Sequence, residues 1–453
     1  MLFLKGIVIR MLREFKSFFS GSFESSEERK KFSTLAVLFG ITIGVYWLLR
    51  PIKDSVFMTM VGIDYQPVVK MLSALVMVPL IMIYSKLVDL LSPHRLLYGL
   101  TLFYAIVAVI FAILILNPLT GIDNTVADPM RFLGWAFYLF VESFGVIMIT
   151  LFWSFVSDTT TPEAAKRGYA TIIIGAQSGG IAGPLLGKYM TKWVGTSYAI
   201  MAGVAVLCLL PFFIYYYMHH TSQAQMKGFH GEAKKPLEGK VKTGFMEGFR
   251  LLITKPYLLG ILAVVAFYNV TITILDFQFK ALASASYTGH ALGVYLSDYA
   301  IWTNVIALIA VVFGIDRIGR ALGLGKTLML LPLMIGIALV ALAFNPLLSV
   351  GFGVMVFCKG INYALNQPAK EQLYIPTTKE TKYKGKAWIE IFGNRASKGL
   401  GSLINSSRKT LGAEGFIWFS LLTSLGLISV WLAAALFLGK THAKAIQEDR
   451  PVC

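Results

Sequence analysis

Eleven ionisable side chains lie in or beside stretches otherwise built from Leu, Ile, Val, Phe and Ala. The bases are Arg50, Lys53, Lys70, Lys359, Arg395 and Lys398; the acids are Asp54, Glu142, Asp276, Asp298 and Glu390. A charge in hydrocarbon costs about 2.5–3.5 kcal/mol on insertion scales, so such residues face a partner, water or a ligand. Arg50 and Lys53 stand three apart and share a helical face, whereas the adjacent Lys53 and Asp54 do not. A doubly positive face suits a visiting anion; the alternative is that both side chains snorkel to an interface. Arg395 and Lys398 repeat the spacing inside Phe392-Gly-Asn-Arg-Ala-Ser-Lys-Gly-Leu-Gly-Ser, which is too polar to face lipid and is expected to line a cavity. Glu142 has no neighbouring charge at helical spacing, so it is either a salt-bridge partner for Lys53 or Lys398, or a gating or coupling acid. Asp276 precedes Lys280 by four residues, the better order for an intrahelical pair, which could serve only to end its span at the outer interface. Grouped this way, Arg50/Lys53 with Glu142 and Arg395/Lys398 with Asp276 would meet a ligand of several negative charges near the midplane. Phosphate is matched by Arg forks and Lys point charges. An aromatic base would need a stacking partner, for which Tyr268, Trp47, Phe144 and Tyr363 are candidates.

The elements that must hold these charges follow from composition. Of 453 residues 56% are apolar and 14% charged, against roughly 25% charged in an average soluble domain, and the mean hydropathy is +0.67. A water-soluble protein of this size could not bury so much apolar surface, so the chain is read as an all-α polytopic membrane protein. Spans of roughly 20 apolar residues cross a bilayer as helices. Twelve are expected, at 34–60, 68–91, 95–117, 131–157, 166–189, 196–218, 256–280, 290–315, 321–344, 346–370, 384–408 and 414–439. The polar, basic linker 219–255 divides them into bundles of six helices at 34–218 and 256–439, a major facilitator-like arrangement. A C-terminal tail spans 440–453. Residues 1–33 carry an amphipathic segment that mixes Leu, Ile and Phe with Lys and Arg. A transit peptide is its rival, disfavoured by Glu14 and scarce serine.

The net charge of +17 could suggest nucleic acid, but its distribution is a topology signal. Lys and Arg crowd the N-terminal tail, the linker, the C-tail and alternate loops (Lys86/Arg95, Lys166/Arg167, Arg317/Arg320/Lys326, Lys370–Lys386). The other side has only Arg131, Lys188, Lys192, Lys280, Arg408 and Lys409. The positive-inside rule then puts both termini in the cytoplasm. Cys208, Cys358 and Cys453 support neither a disulfide framework nor a zinc pattern, and the six histidines form no metal box. No nucleophile–base set occurs in the spans, so no enzyme activity, metal or cofactor is expected.

Several motifs carry a family resemblance. Gly314-Ile-Asp316-Arg317-Ile-Gly319-Arg320 resembles the cytoplasmic loop signature of the major facilitator superfamily. Glycines 175, 179, 183 and 187 recur every fourth residue, a groove for close helix packing, and partly resemble a motif of facilitator antiporters in which Lys188 replaces a further glycine. Longer segments resemble the nucleotide transporter (ATP/ADP translocase) family of intracellular bacteria and plastids. They are Leu49-Arg50-Pro51-Ile52-Lys53-Asp54; Phe137-Tyr138 through Glu142-Ser-Phe-Gly to Trp153, followed by Ala165-Lys166-Arg167-x-Tyr169; Tyr268-Asn269 to Lys280; and Cys358-Lys359 through Tyr374-Ile-Pro376 and Lys384-Gly-Lys386 to Ser397-Lys398-Gly399 and Ile404.

That resemblance implies a nucleotide carrier, most simply one exchanging ATP for ADP by alternating access. Lys53, Glu142 and Lys398 fall on positions that the family uses for substrate, and Asp276 stands where it has a glutamate. Arg50, Arg395, Arg167 and Tyr268 are expected to assist. A proton-coupled nucleotide importer or an NAD carrier remains open, as does, outside transport, a lipid scramblase or membrane receptor. The expected setting is a monomer in the lipid bilayer of a bacterial inner membrane, with no nucleic acid partner.

Overall fold

A computed structural model describes residues 23–221, 250, 252–312, 322–362, 366–378, 385–448 and 452. The N-terminal amphipathic segment, most of the linker, the 314–320 loop signature and Tyr363 lie outside them.

The described chain is all-helical. Its helices are α1 (Ser26–Met60), α2 (Gln66–Leu90), α3 (Pro93–Leu116), α4 (Phe132–Asp158), α5 (Pro162–Trp193), α6 (Thr196–Leu207), α7 (Leu209–His220), α8 (Pro256–Ser286), α9 (Gly289–Val312), α10 (Leu324–Phe344), α11 (Leu348–Ile361), α12 (Gln367–Gln372), α13 (Asn394–Ser406) and α14 (Arg408–Gln447). The starts obey local chemistry. Ser25 caps α1 by accepting from the Glu28 amide at 3.0 Å, and Thr161 caps α5 by accepting from Ala164 at 3.4 Å. Proline opens α3, α5 and α8, where a missing N–H costs nothing.

Ten of the described helical segments are long and apolar enough to cross a membrane. The segments expected as spans ten and eleven are not among them, for a visible reason. α11 is only 14 residues, and the 384–408 stretch is broken by a π-helical turn, Ile389–Gly393, before the polar α13. This break is cross-braced. Lys370 pairs with Glu390 at 2.8 Å, and the Asn394 amide donates to the Glu390 carbonyl at 2.7 Å and carboxylate at 3.1 Å. Beyond the spans, burial first, then Glu390 and Glu371, push the Tyr374 phenol far above its ordinary range.

The chain packs into two compact units. Unit 1 contains residues 1–61, 76–236 and 288–304; unit 2 contains 62–75, 237–287 and 305–453. Both α2 and α9 are thus shared between units. In unit 1, α1 and α5 meet backbone to backbone through the glycine groove. A Cβ on Gly179 would overlap the Gly40 carbonyl, and one on Gly183 the Gly44 carbonyl. The start of α9 is stitched into the same unit: Ser55 donates to the Gly289 carbonyl (2.7 Å), the Gly289 amide donates to Thr59 (2.9 Å), and Lys188 pairs with Asp298 (2.6 Å). In unit 2, α8 is the central helix, buried along most of its length. α14 passes through Gly412 at φ 73°, a left-handed turn that glycine takes without strain.

Two candidate substrate-binding centres

Unit 1 builds its centre from α1 and α4. Pro51 removes one backbone donor from the middle of α1, just before Lys53. The Lys53 ammonium pairs with the Glu142 carboxylate, lies 4.0 Å from the Tyr138 ring centroid, and stands 3.7 Å from Asp54. Tyr138 and Glu142 are four apart on α4, so one face grips the ammonium by ring and carboxylate together. Lys53 is 3% exposed and the Glu142 side chain 28% exposed, so the acid is the more open end of the pair. One turn earlier Arg50 covers Trp47 at 4.8 Å and Tyr46 at 5.9 Å. That contact explains the first motif: the aromatic pair holds the guanidinium while Lys53 holds the acid. Of the two partners expected for Glu142, Lys53 and Lys398, the one beside it is Lys53.

Unit 2 departs from expectation. Asp276 is gripped by three ammonium groups: Lys280 at 2.9 Å, Lys359 at 3.1 Å and Lys70 at 3.2 Å. Lys280 comes from the same helix, Lys359 from α11 and Lys70 from the first turn of α2. The helix continues past the Asp276–Lys280 pair to Ser286. Arg395 and Lys398 were expected to be the cations grouped with Asp276; the structure instead surrounds it with these three lysines. α13 meets α8 through other residues. Asn269 donates to Asn394 at 2.7 Å, and Asn405 donates to the Thr273 carbonyl at 3.1 Å. Lys398 shares a helical face with the buried Gly401 and Asn405 yet is itself exposed.

Other expected residues lie elsewhere. Arg167 forms ion pairs with Glu28 at 2.9 Å and Glu24 at 2.8 Å, tying the start of α5 to the start of α1. Twenty-five residues of α1 separate Glu28 from Lys53, about 37 Å at the α-helical rise. Arg167 is therefore a helix-end latch, apart from the Lys53 centre. Phe144 is core, 1% exposed and packed edge-on against Tyr104 at 5.1 Å. Tyr268 keeps partial exposure and meets the buried Trp431 at 6.1 Å. Lys70 and Lys359 had no assigned role from sequence. The signal that could have found them was their cost inside apolar spans; what hid their meeting is that they sit more than 200 and about 80 residues from Asp276.

Known proteins resemble the chain over most of its length. The chain is 27% identical to ADP,ATP carrier protein 1 of Chlamydia muridarum, over 92% of this chain and 89% of that protein. It is 26% identical to the chloroplastic ADP,ATP carrier protein 2 of Arabidopsis thaliana, over 90% and 74%. Among solved structures, a bacterial homologue of the iron transporter ferroportin in the inward-facing state superposes with a TM-score of 0.64 at 11% identity, over 90% of this chain and 98% of that one. That likeness shows a shared fold over most of the chain. Residues 12–348 and 337–442 match one family across nearly the whole sequence, and on that match the chain belongs to the TLC ATP/ADP transporter family.

Proposed function

We propose that this protein exchanges ATP for ADP across a membrane by alternating access. Membership of the ATP/ADP transporter family carries the substrate class. The single structural observation that supports a mechanism is the Lys53–Glu142 pair, a nearly buried cation with a less buried carboxylate partner. Breaking such a pair by removing one partner leaves an uncompensated charge, at a cost of about 3–5 kcal/mol. An arriving phosphate supplies the replacement charge. The empty carrier holds its ion pair closed, and only an incoming anion releases it, which favours exchange over leak.

In this reading Arg50 and Lys53 with Glu142 in unit 1 handle phosphate, and in unit 2 Asp276 with its lysines, and separately Arg395 and Lys398, are offered for the same task. Tyr268 is offered for the base. It lies eight residues before Asp276 on α8, about 12 Å along the axis, a span that a nucleoside diphosphate can bridge from base to terminal phosphate. The twelve-helix reading, with two bundles of six, keeps α11 and α13 as the cores of the tenth and eleventh crossings. Both termini are assigned to the cytoplasm of a bacterial cell, the protein to its inner membrane, and the working unit to a monomer.

The test uses purified protein in liposomes. Labelled ATP should enter vesicles loaded with ADP and stay out of empty ones, and Lys53→Ala should abolish that entry. Equal entry into loaded and empty vesicles would reject exchange.

A further inference from the structure

We propose that Lys70, Lys280 and Lys359 form the subsite for the terminal phosphoryl group of the nucleotide, with Asp276 as the carboxylate that occupies them between substrates. The inference rests on the nucleotide reading above and adds to it the residues that recognise the end of the phosphate chain.

Three observations carry it. The first is a mismatch of donors and acceptors. Three ammonium groups converge on one carboxylate that has two oxygens, so Oδ2 serves both Lys70 and Lys280 while Oδ1 serves Lys359. A terminal phosphoryl group has three equivalent oxygens and can give each lysine its own. The second is charge. Asp276 brings one negative charge to three positive ones. A phosphoryl monoester carries a charge of about −1.5 to −2 at neutral pH, so one such group balances the cluster with Asp276 still ionised. A carboxylate or a phosphodiester, with a single charge, does not.

The third is construction and access. Lys70, Lys280 and Lys359 come from three different helices of unit 2, each lysine within an apolar span or helix where an unrewarded ammonium is costly. A structural role for Asp276 alone would be met by Lys280, which sits four residues away on the same helix. Lys70 and Lys359 are the most open members, at 22% and 18% side-chain exposure against 8% for Lys280 and 12% for Asp276. The ammonium groups contributed from outside α8 are therefore the less buried ones. Displacement is simple exchange of ion-pair partners: the phosphoryl oxygens accept from the lysines as Asp276 gives them up, and no bond is made or broken.

The experiment compares ADP with ADP-ribose, which has the same base and diphosphate but no terminal phosphoryl group. Wild type, Lys70→Gln, Lys359→Gln and the corresponding Lys→Arg variants are reconstituted in ADP-loaded liposomes. Each unlabelled compound then competes with labelled ADP for uptake. Loss of one charge-assisted contact should raise the half-inhibiting ADP concentration about tenfold while leaving ADP-ribose nearly unchanged, so the preference collapses. The Arg variants should keep it.

An unchanged ADP to ADP-ribose ratio in Gln variants that still exchange would overturn the subsite, as would equal weakening toward both compounds. Inorganic phosphate inhibiting without competing against ADP would assign the lysines to free phosphate instead. If both Gln variants fail to accumulate in membranes while both Arg variants accumulate and lose the preference, the cluster is structural. Absence of ADP exchange by the wild type would refute the nucleotide reading itself, a result distinct from all of these.

Discussion

The two ionic centres differ in charge balance. Around Lys53, the bases Arg50 and Lys53 are matched in number by Asp54 and Glu142, and an aromatic ring backs each cation. Around Asp276 one acid faces three lysines. A balanced pair is quiet until a competitor for the lysine arrives; an unbalanced cluster attracts anions throughout. Buried ion pairs contribute little net stability, because desolvation offsets their attraction, and they are costly to break one side at a time. In the functions proposed above, the unit 1 centre serves as a latch and the unit 2 centre as a receptor.

The largest effect expected to test this contrast is Lys53→Ala. It leaves Glu142 without its ammonium, and should lower stability by about 3–5 kcal/mol and abolish exchange. Thermal unfolding in detergent and ADP-loaded liposomes give the two readouts. The double variant Lys53→Met/Glu142→Gln sharpens the point: removing both charges should recover most of the lost melting temperature while exchange stays absent. Recovery of transport would mean that the pair is only a brace.

Asp276→Asn should behave in the opposite way. Removing the placeholder leaves the lysines more attractive, so half-inhibition by ADP should fall while turnover slows, each by about tenfold on the scale of one charge-assisted contact. Competition and initial-rate measurements separate the two; weaker ADP binding would break the receptor reading.

A smaller effect is expected at Gly183→Ala. Its Cβ would overlap the Gly44 carbonyl and force α1 from α5, an overpacking cost of about 1–3 kcal/mol read as a lower melting temperature. The smallest effect on uptake belongs to Arg167→Ala, whose partners are the exposed Glu24 and the buried Glu28. Uptake should change by less than about threefold, since these partners stand about 37 Å along α1 from Lys53; a larger loss would return Arg167 to the transport machinery.

Much of this was legible in the residue order. Hydropathy, the i,i+3 and i,i+4 spacings and the glycine period at 175–187 are local properties, and they identified the helices, the Arg50/Lys53 face, the Asp276–Lys280 pair and the α5 groove. Lys53 and Glu142 were legible as candidates because an isolated charge in an apolar span demands an explanation. What the residue order did not show in spans ten and eleven is a local irregularity: a π-helical turn at Ile389–Gly393 holds Glu390, which pairs with Lys370.

The sequence by itself determined that this chain crosses a membrane many times and must account for each charge it places there, because the cost of a charge in hydrocarbon depends only on residue type and depth. Which charges meet depends on helix packing, and only the tertiary structure decided it. Lys70 and Lys359 reach Asp276 because α2 and α11 pack beside α8, while Arg167 is carried to a helix end some 37 Å along α1 from Lys53. No spacing rule reaches across separate helices, since their relative placement is set by the sum of side-chain contacts between them.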